Sequence, residues 1–233
     1  MRTIIMACLI ALNGVAAAAD DYLVTQYRAA PGKLPELLKQ IKETDWDEVE
    51  GTRPIIMRHS QGDQWDLMLL APYGDSCTSE KCAKFKSLWS TLLRASTRLL
   101  VDYELRFLAT SETPWSKIQA MNSGTGLYHI EMFNAAAGKH DALLSQRRRE
   151  NEYLAKTGQV TNVIFTVTMG SDVDAFTIGF HESLKTFAES PDLPTEAFEQ
   201  AAVEAGFKNR ADISFHLREL IVGHHDTLAT KVK

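Results

Sequence analysis

Residues 127–139 read LYHIEMFNAAAGK, and residues 21–33 read DYLVTQYRAAPGK. When the chain is compared with itself at a shift of 106 residues, eight of the nineteen positions from 22 to 40 are identical to their counterparts at 128–146. Both stretches contain a strand-like run, an Ala-Ala-x-Gly-Lys turn and then an apolar pattern of helical period. A repeat of this length indicates a duplicated domain, because the units of solenoid proteins are only ~20–50 residues long.

Each copy predicts the same order of elements, β-α-β-β-α-β. The first copy has expected strands at 22–29, 53–60, 64–71 and 102–109 and helices at 34–42 and about 82–100. The second has strands at 126–135, 161–168, 174–181 and 226–232, a helix at 139–156 and two helical pieces split near 190–194. This split order is the ferredoxin-like arrangement. We therefore expect an α+β fold, with tandem ferredoxin-like repeats at 20–110 and 125–233, a linker at 111–124, and closure into an intramolecular α+β barrel.

The turn after the first strand of each copy, RAAPGK at 28–33 and NAAAGK at 134–139, carries a family resemblance. It resembles the first strand–helix turn of the dimeric α+β barrel superfamily, in particular its antibiotic-biosynthesis-monooxygenase-like and NIPSNAP-like domains. The resemblance covers nearly all of the chain after residue 19. It implies two ferredoxin-like units that bury one sheet face each in a shared barrel. Members include cofactor-independent oxygenases, haem enzymes and small-molecule isomerases, so the resemblance implies a fold and not one reaction.

The start of the chain has the pattern of a secretory signal peptide. Arg2 precedes an apolar run, and Ala17, Ala18 and Ala19 offer a cleavage site, which predicts a signal at 1–19. The run is shorter than the ~18–20 residues that a membrane span needs. We therefore expect a periplasmic or secreted protein with no membrane segment after cleavage. In an oxidising compartment Cys77 and Cys82 are expected to form a disulfide, and two free thiols are the alternative.

The composition is mildly acidic, with 25 Lys and Arg against 30 Asp and Glu. This balance argues against a nucleic-acid partner. The short run 147–149 is all arginine, but it lies in a predicted helix beside Glu150 and Glu152, which favours a solvated and self-paired helix face. The sequence has neither a Gly-rich phosphate loop nor a nucleophile elbow. We expect a small-molecule ligand, and a homo-oligomer stays open.

His129 and Glu131 interrupt an otherwise apolar strand, whereas the first copy has Leu23 and Thr25 at these positions. The fold therefore does not require the polar pair. Side chains alternate between the two faces of a strand. We expect the apolar side chains at 128, 130 and 132 to meet the helices and the polar pair to point into the barrel, towards the other half.

These orientations define an expected site between the repeats. Its catalytic residues would be His129 as base, Glu131 as the residue that orients it, and His181 as a second acid, base or ligand. Its ligand-binding residues would be Thr177, Gly179, Phe133, Leu69, Tyr73 and His225. Of the adjacent His224 and His225, at most one is expected to enter the site, because neighbouring side chains point apart.

The leading hypothesis is an exported small-molecule enzyme of oxygenase or isomerase type with a pocket between the two repeats. The alternatives are a non-catalytic carrier or sensor of a small apolar or haem-like ligand, and a barrel filled by its own side chains. The cofactor stays open. The protein could use none, or a haem held by His181 or His225. A divalent metal on His129, Glu131, His181 and His225 is the third alternative.

Overall fold

The computed structural model describes residues 19–46, 53–74 and 97–232. The strands are β1 (Asp20–Ala29), β2 (Ile55–Gln61), β3 (Leu67–Tyr73), β4 (Val101–Ser111), β5 (Leu127–Ala135), β6 (Asn162–Met169), β7 (Ala175–His181) and β8 (Ile221–Lys231). The helices are α1 (Leu34–Glu43), α2 (Trp115–Ser123), α3 (His140–Lys156), α4 (Leu184–Ala188), α5 (Thr195–Glu204) and α6 (Arg210–Arg218). Residues 1–18 of the predicted signal peptide, Cys77, Cys82 and most of the helix predicted at about 82–100 lie outside the described residues.

The eight strands form one closed antiparallel barrel in the order β1-β3-β2-β8-β5-β7-β6-β4. The first half has the order β4-β1-β3-β2 and the second half has the matching order β8-β5-β7-β6. The halves join where β2 pairs with β8 and where β4 pairs with β6. The predicted α+β class and the barrel are therefore confirmed. None of the helices in the described part of the chain is long and apolar enough to cross a membrane.

Corresponding turns in the two halves are built in the same way. The helices α1 and α3 each follow a glycine in the left-handed region, Gly32 with φ 75° and Gly138 with φ 71°, a conformation that other residues rarely adopt. A second feature ties the first strand of each half to its third strand. Asp66 accepts a hydrogen bond from the Ala29 amide at 2.7 Å in the first half. The equivalent bond in the second half runs to Asp174 from the amide of residue 135, also at 2.7 Å.

Apolar side chains from all eight strands meet inside the barrel. Aromatic contacts join the halves there, with Tyr22 5.3 Å from Phe165 and Phe107 5.8 Å from Phe176 between ring centroids. In each pair one strand separates the two partners, and all four rings are buried in one cluster, as expected on the concave inner face of a closed barrel. The strand residues of this core are Tyr22, Val24, Ile55, Met57, Met68, Leu70, Phe107, Ala109, Tyr128, Ile130, Met132, Val163, Phe165, Phe176, Ile178, Phe180 and Ala229.

The predicted orientation of β5 and β7 is therefore wrong. Tyr128, Ile130 and Met132 point into the barrel, and the side of β5 with His129 and Glu131 faces the helices. On β7, Thr177, Gly179 and His181 likewise lie on the helix side. An isolated sheet would bury its more apolar face under its own helices. In a closed barrel the interior is the region most fully shielded from water, so it takes the bulkier apolar set.

Candidate functional site

The helix side of β5 and β8 carries a group of four ionisable side chains, His129, Glu131, His224 and Asp226, which we call the β5–β8 cluster. The antiparallel register places Asp226 opposite Glu131. His129 Nε2 lies 2.6 Å from Asp226 Oδ1. His224 Nε2 lies 3.4 Å from Glu131 Oε1 and 3.9 Å from Asp226 Oδ2. The His224 ring stacks on Phe133 at 4.9 Å and 8°, which fixes its orientation.

A buried arginine from α3 completes the surroundings of Glu131. Arg147 has a side chain only 2% exposed, and its NH1 lies 3.3 Å from Glu131 Oε2. The same guanidinium bonds to Glu150 and, through Nε, to Gln146 Oε1 at 2.7 Å. Thr177 Oγ1 donates to Glu131 Oε2 at 3.1 Å. The expected solvated face is thus wrong for Arg147, because the helical period places it on the side of α3 that packs on the sheet.

The contacts of the β5–β8 cluster shift its pKa values in opposite directions. Burial lowers the pKa of His129, but the hydrogen bond to Asp226 and the charges of Glu131 and Asp226 outweigh it, so that this pKa is raised. Burial raises the pKa of Glu131, but the contacts with His224, Arg147 and His129 hold it below its ordinary value. The hydrogen bond from His129 lowers the pKa of Asp226. The cluster therefore favours an imidazolium beside ionised carboxylates.

A cavity of about 270 Å³ opens next to this cluster, and we call it the His129 cavity. His129, Glu131 and His181 provide polar parts of its wall, and Leu154 and Phe187 provide apolar parts. The Phe187 ring, from α4, lies 5.0 Å from the rings of both histidines. The volume is near the lower limit of ligand pockets, about 300–1,000 Å³, so the cavity suits a small organic molecule.

His181 occupies the end of β7 at this cavity without a partner for one of its nitrogens. Its Nδ1 is buried and has no hydrogen-bond partner among the described residues. Burial and the nearby charge of His129 lower the pKa of His181 to about 4. A Cβ at Gly179 would lie 2.8 Å from His181 Nε2 and 2.7 Å from Asn162 Oδ1. The space above this glycine, predicted to be open for a ligand, is therefore taken by the two side chains.

None of the six predicted ligand-binding residues lines the His129 cavity, although Thr177 bonds to Glu131 and the space above Gly179 is filled by His181 and Asn162. Leu69 packs in the cluster beneath α1, in the first half, and Tyr73 lies on the same side of β3 by alternation. His225 lies on the face of β8 opposite to His224, and its Nδ1 is 3.6 Å from Asp63 Oδ1. Phe133 lies under His224. Leu69, Tyr73 and His225 lie away from the His129 cavity for the same reason as the orientation of β5, because this cavity is on the helix side of the sheet and not between the halves.

The residue that orients His129 is Asp226, and the prediction of Glu131 in this role is wrong. The sequence also missed the placement of His224 beside Glu131. Both errors come from β8, which begins at Ile221 and not at residue 226 as predicted. The polar start VGHHD does not look like a strand. If β8 had been predicted to begin at this stretch, its antiparallel pairing with β5 would have placed Asp226 beside Glu131.

No protein-family model and no curated protein sequence matches the chain. Solved structures do match it. An anthrone oxidase-like protein has 10% identity and a TM-score of 0.57, with 92% of each chain covered. A candidate monooxygenase from Lactobacillus acidophilus NCFM has 4% identity and a TM-score of 0.53, with 93% of this chain and 95% of that chain covered. A candidate chlorite dismutase has 10% identity and a TM-score of 0.53, covering 92% of this chain and 95% of that one. These likenesses show that the chain has the fold of the dimeric α+β barrel proteins.

Proposed function

We propose that this chain is an exported small-molecule enzyme of the oxygenase or isomerase type, whose substrate occupies the His129 cavity. One observation carries the proposal. Two imidazoles, one held by Asp226 and one with an unpaired buried nitrogen, meet at the same aromatic ring in the wall of a cavity. Convergent ionisable groups with shifted pKa values in the wall of a cavity mark a candidate small-molecule site.

This arrangement suits proton transfer on an organic substrate. Cofactor-free oxygenation and isomerisation both need a base beside an acidic C–H or O–H group of the substrate. A neutral imidazole in the cavity wall, His181, can accept that proton. An imidazole whose other nitrogen is fixed by a carboxylate, His129 with Asp226, can hold a proton and return it. Phe187 and Leu154 would contact the apolar part of the molecule.

We further propose that the site arose in one copy of a duplicated unit. We take residues 20–110 and 125–233 as two copies of one ferredoxin-like domain, supported by their matching strand order and by the equivalent aspartate bonds of β3 and β7. The first copy has Leu23 and Thr25 where the second has the polar pair, so the site is a specialisation of the second copy. The oxidase and monooxygenase names of similar structures agree with an oxygenase, although a shared fold alone selects no reaction.

The test uses the chain from residue 20 onwards, without the predicted signal peptide, and a panel of phenols and enolisable ketones. Turnover is followed with an oxygen electrode and by deuterium uptake from D₂O in NMR spectra. His181→Asn and His129→Gln are each expected to lower turnover at least 100-fold, the usual size of a general acid–base contribution. His216→Gln, on α6 and away from the cavity, is the control.

Circular dichroism must show that each of these variants is folded. A ligand that is recovered chemically unchanged, and that binds to both cavity variants as tightly as to the unmodified chain, would instead identify a carrier. Turnover that survives in both variants would overturn the assignment of the two histidines.

A further inference from the structure

We propose that the β5–β8 cluster is a divalent-metal site, with His129, Glu131 and Asp226 as ligands and His224 as a further donor. One donor atom from each of the first three residues lies within 4.8 Å of those of the other two. The three residues come from two adjacent strands, so the rigid ladder of β5 and β8 fixes their spacing. This inference goes beyond the proposed function, since metal binding can be measured without knowledge of any substrate.

The donor set is appropriate for a transition metal. Imidazole nitrogens with carboxylate oxygens suit Zn²⁺, Fe²⁺, Mn²⁺ or Co²⁺. Ligand atoms about 2.0–2.2 Å from such an ion lie roughly 3–3.6 Å from one another. The separation of His224 Nε2 from Glu131 Oε1, 3.4 Å, falls in this range. The shorter 2.6 Å contact of His129 with Asp226 is a hydrogen bond, which an ion would open and replace.

The local charge gives an independent reason for a cation. The guanidinium of Arg147 bonds to both Glu131 and Glu150, and Asp226 adds a third carboxylate to the same group of side chains, so carboxylates outnumber the arginine and lysine partners in these contacts. Glu131 and Glu150 are largely buried, with side chains 11% and 21% exposed, so water screens their charge poorly. A divalent ion held by these side chains would offset this charge.

The surroundings would hold the ligands and still admit an ion. Thr177 and Arg147 bond to Glu131 Oε2, which leaves Oε1 for the metal. Hydrogen bonds of this kind orient metal-binding carboxylates. Asp226 is 58% exposed, so an ion can enter from solvent. His129 and Glu131 also line the His129 cavity, so an ion bound by them could take water or a substrate atom at an open position. In that state His129 is a ligand, and proton transfer falls to His181.

Isothermal titration of the EDTA-treated full chain with Zn²⁺, Mn²⁺ and Co²⁺ tests the inference. We expect one ion per chain, release of protons on binding, and visible absorption of the Co²⁺ form. Asp226→Asn, at an exposed position, and His224→Gln are each expected to weaken binding at least tenfold. His225→Gln is the matched control, because this neighbour lies on the opposite face of β8, and it should keep the affinity.

Two outcomes overturn the site. In the first, no ion binds at millimolar concentration to the folded chain. In the second, an ion binds but Asp226→Asn and His224→Gln leave its affinity unchanged. Failure of this inference is separate from failure of the proposed function. If turnover persists in EDTA, the metal inference fails and the proposed enzyme function stands. If an ion binds but no turnover is found, the metal site stands and the proposed enzyme function fails.

Discussion

His129 Nε2 and Asp226 Oδ1 approach to 2.6 Å across the β5–β8 ladder, although the two residues are not directly opposite each other. His129 is opposite Leu228, and Asp226 is opposite Glu131. Diagonal neighbours on adjacent strands are within reach of longer side chains. The contact exists because β5 carries a histidine where β1 carries Leu23, so it belongs to the second half of the barrel.

Asp226→Asn is expected to lower the pKa of His129 in the metal-free protein. The substitution removes the charged hydrogen-bond partner, while burial, which disfavours the imidazolium, stays. An NMR titration of the histidine Cε1 protons measures the shift. Asp102→Asn, at an exposed position on β4, is the control and should leave the titration of His129 unchanged. If His129 titrates alike in both variants, Asp226 does not set its pKa.

Arg147→Met is expected to lower the free energy of unfolding by about 3–5 kcal/mol, because it leaves buried carboxylates without their cation. These are Glu131 and Glu150, both bonded to the guanidinium. Urea denaturation at pH 7 measures the loss. The next residue provides the control. Arg148 is 51% exposed and pairs with Glu112, so Arg148→Met should cost no more than about 1 kcal/mol. Equal losses for the two variants would contradict the role of the buried pair.

The sequence predicted the fold well because its signals are local. The repeated turn, the hairpins and the alternation along β5 are each set by a few neighbouring residues. The alternation along β5 also predicted correctly that His129 and Glu131 lie on one face of the strand and that Tyr128 and Ile130 lie on the other. Which face lies inside depends on closure of the barrel by two halves that are about one hundred residues apart in the chain, and no local pattern contains that information.

The candidate site was predicted in part for a related reason. His129, Glu131, Thr177 and His181 were identified because they depart from the apolar pattern of their strands. Arg147 and the pairing of Asp226 were missed, since each depends on packing between elements distant in sequence. A charged residue on a helix is usually solvated, and its burial here follows from the carboxylate that β5 places beneath α3.

The pH dependence of stability should report the burial of His181. Its pKa is lowered to about 4 in the folded protein, whereas a histidine in an unfolded chain titrates near 6.5. Between these values the unfolded chain binds the proton and the folded chain does not, so stability is lost as the pH falls from about 6.5 to about 4. His181→Asn should flatten this part of the curve, by an amount reduced by the partial exposure of the ring.

Urea denaturation of the metal-free protein at several pH values across this window measures the slope. The lowered pKa values of Glu131 and Asp226 add a pH dependence of their own towards acid pH, so the comparison is between variants and not with a flat reference. His216→Gln, on α6 and outside the wall of the His129 cavity, should retain the slope of the unmodified chain. A slope that is the same for His181→Asn and for the unmodified chain would contradict a buried, neutral His181.

Gly179→Ala should displace His181 without breaking the sheet. Gly179 lacks a positive φ, so the backbone accepts alanine, but the new Cβ would lie 2.7 Å from Asn162 Oδ1 and 2.8 Å from His181 Nε2. Both side chains must move, at a cost of about 1–3 kcal/mol, and His181 should gain solvent, with its pKa rising towards the ordinary value. Urea denaturation and NMR titration measure the two effects. Gly124→Ala is the control, because a Cβ there meets nothing within 4 Å. Equal stability of the two variants, with the His181 resonance unmoved, would show that Gly179 does not hold this histidine in place.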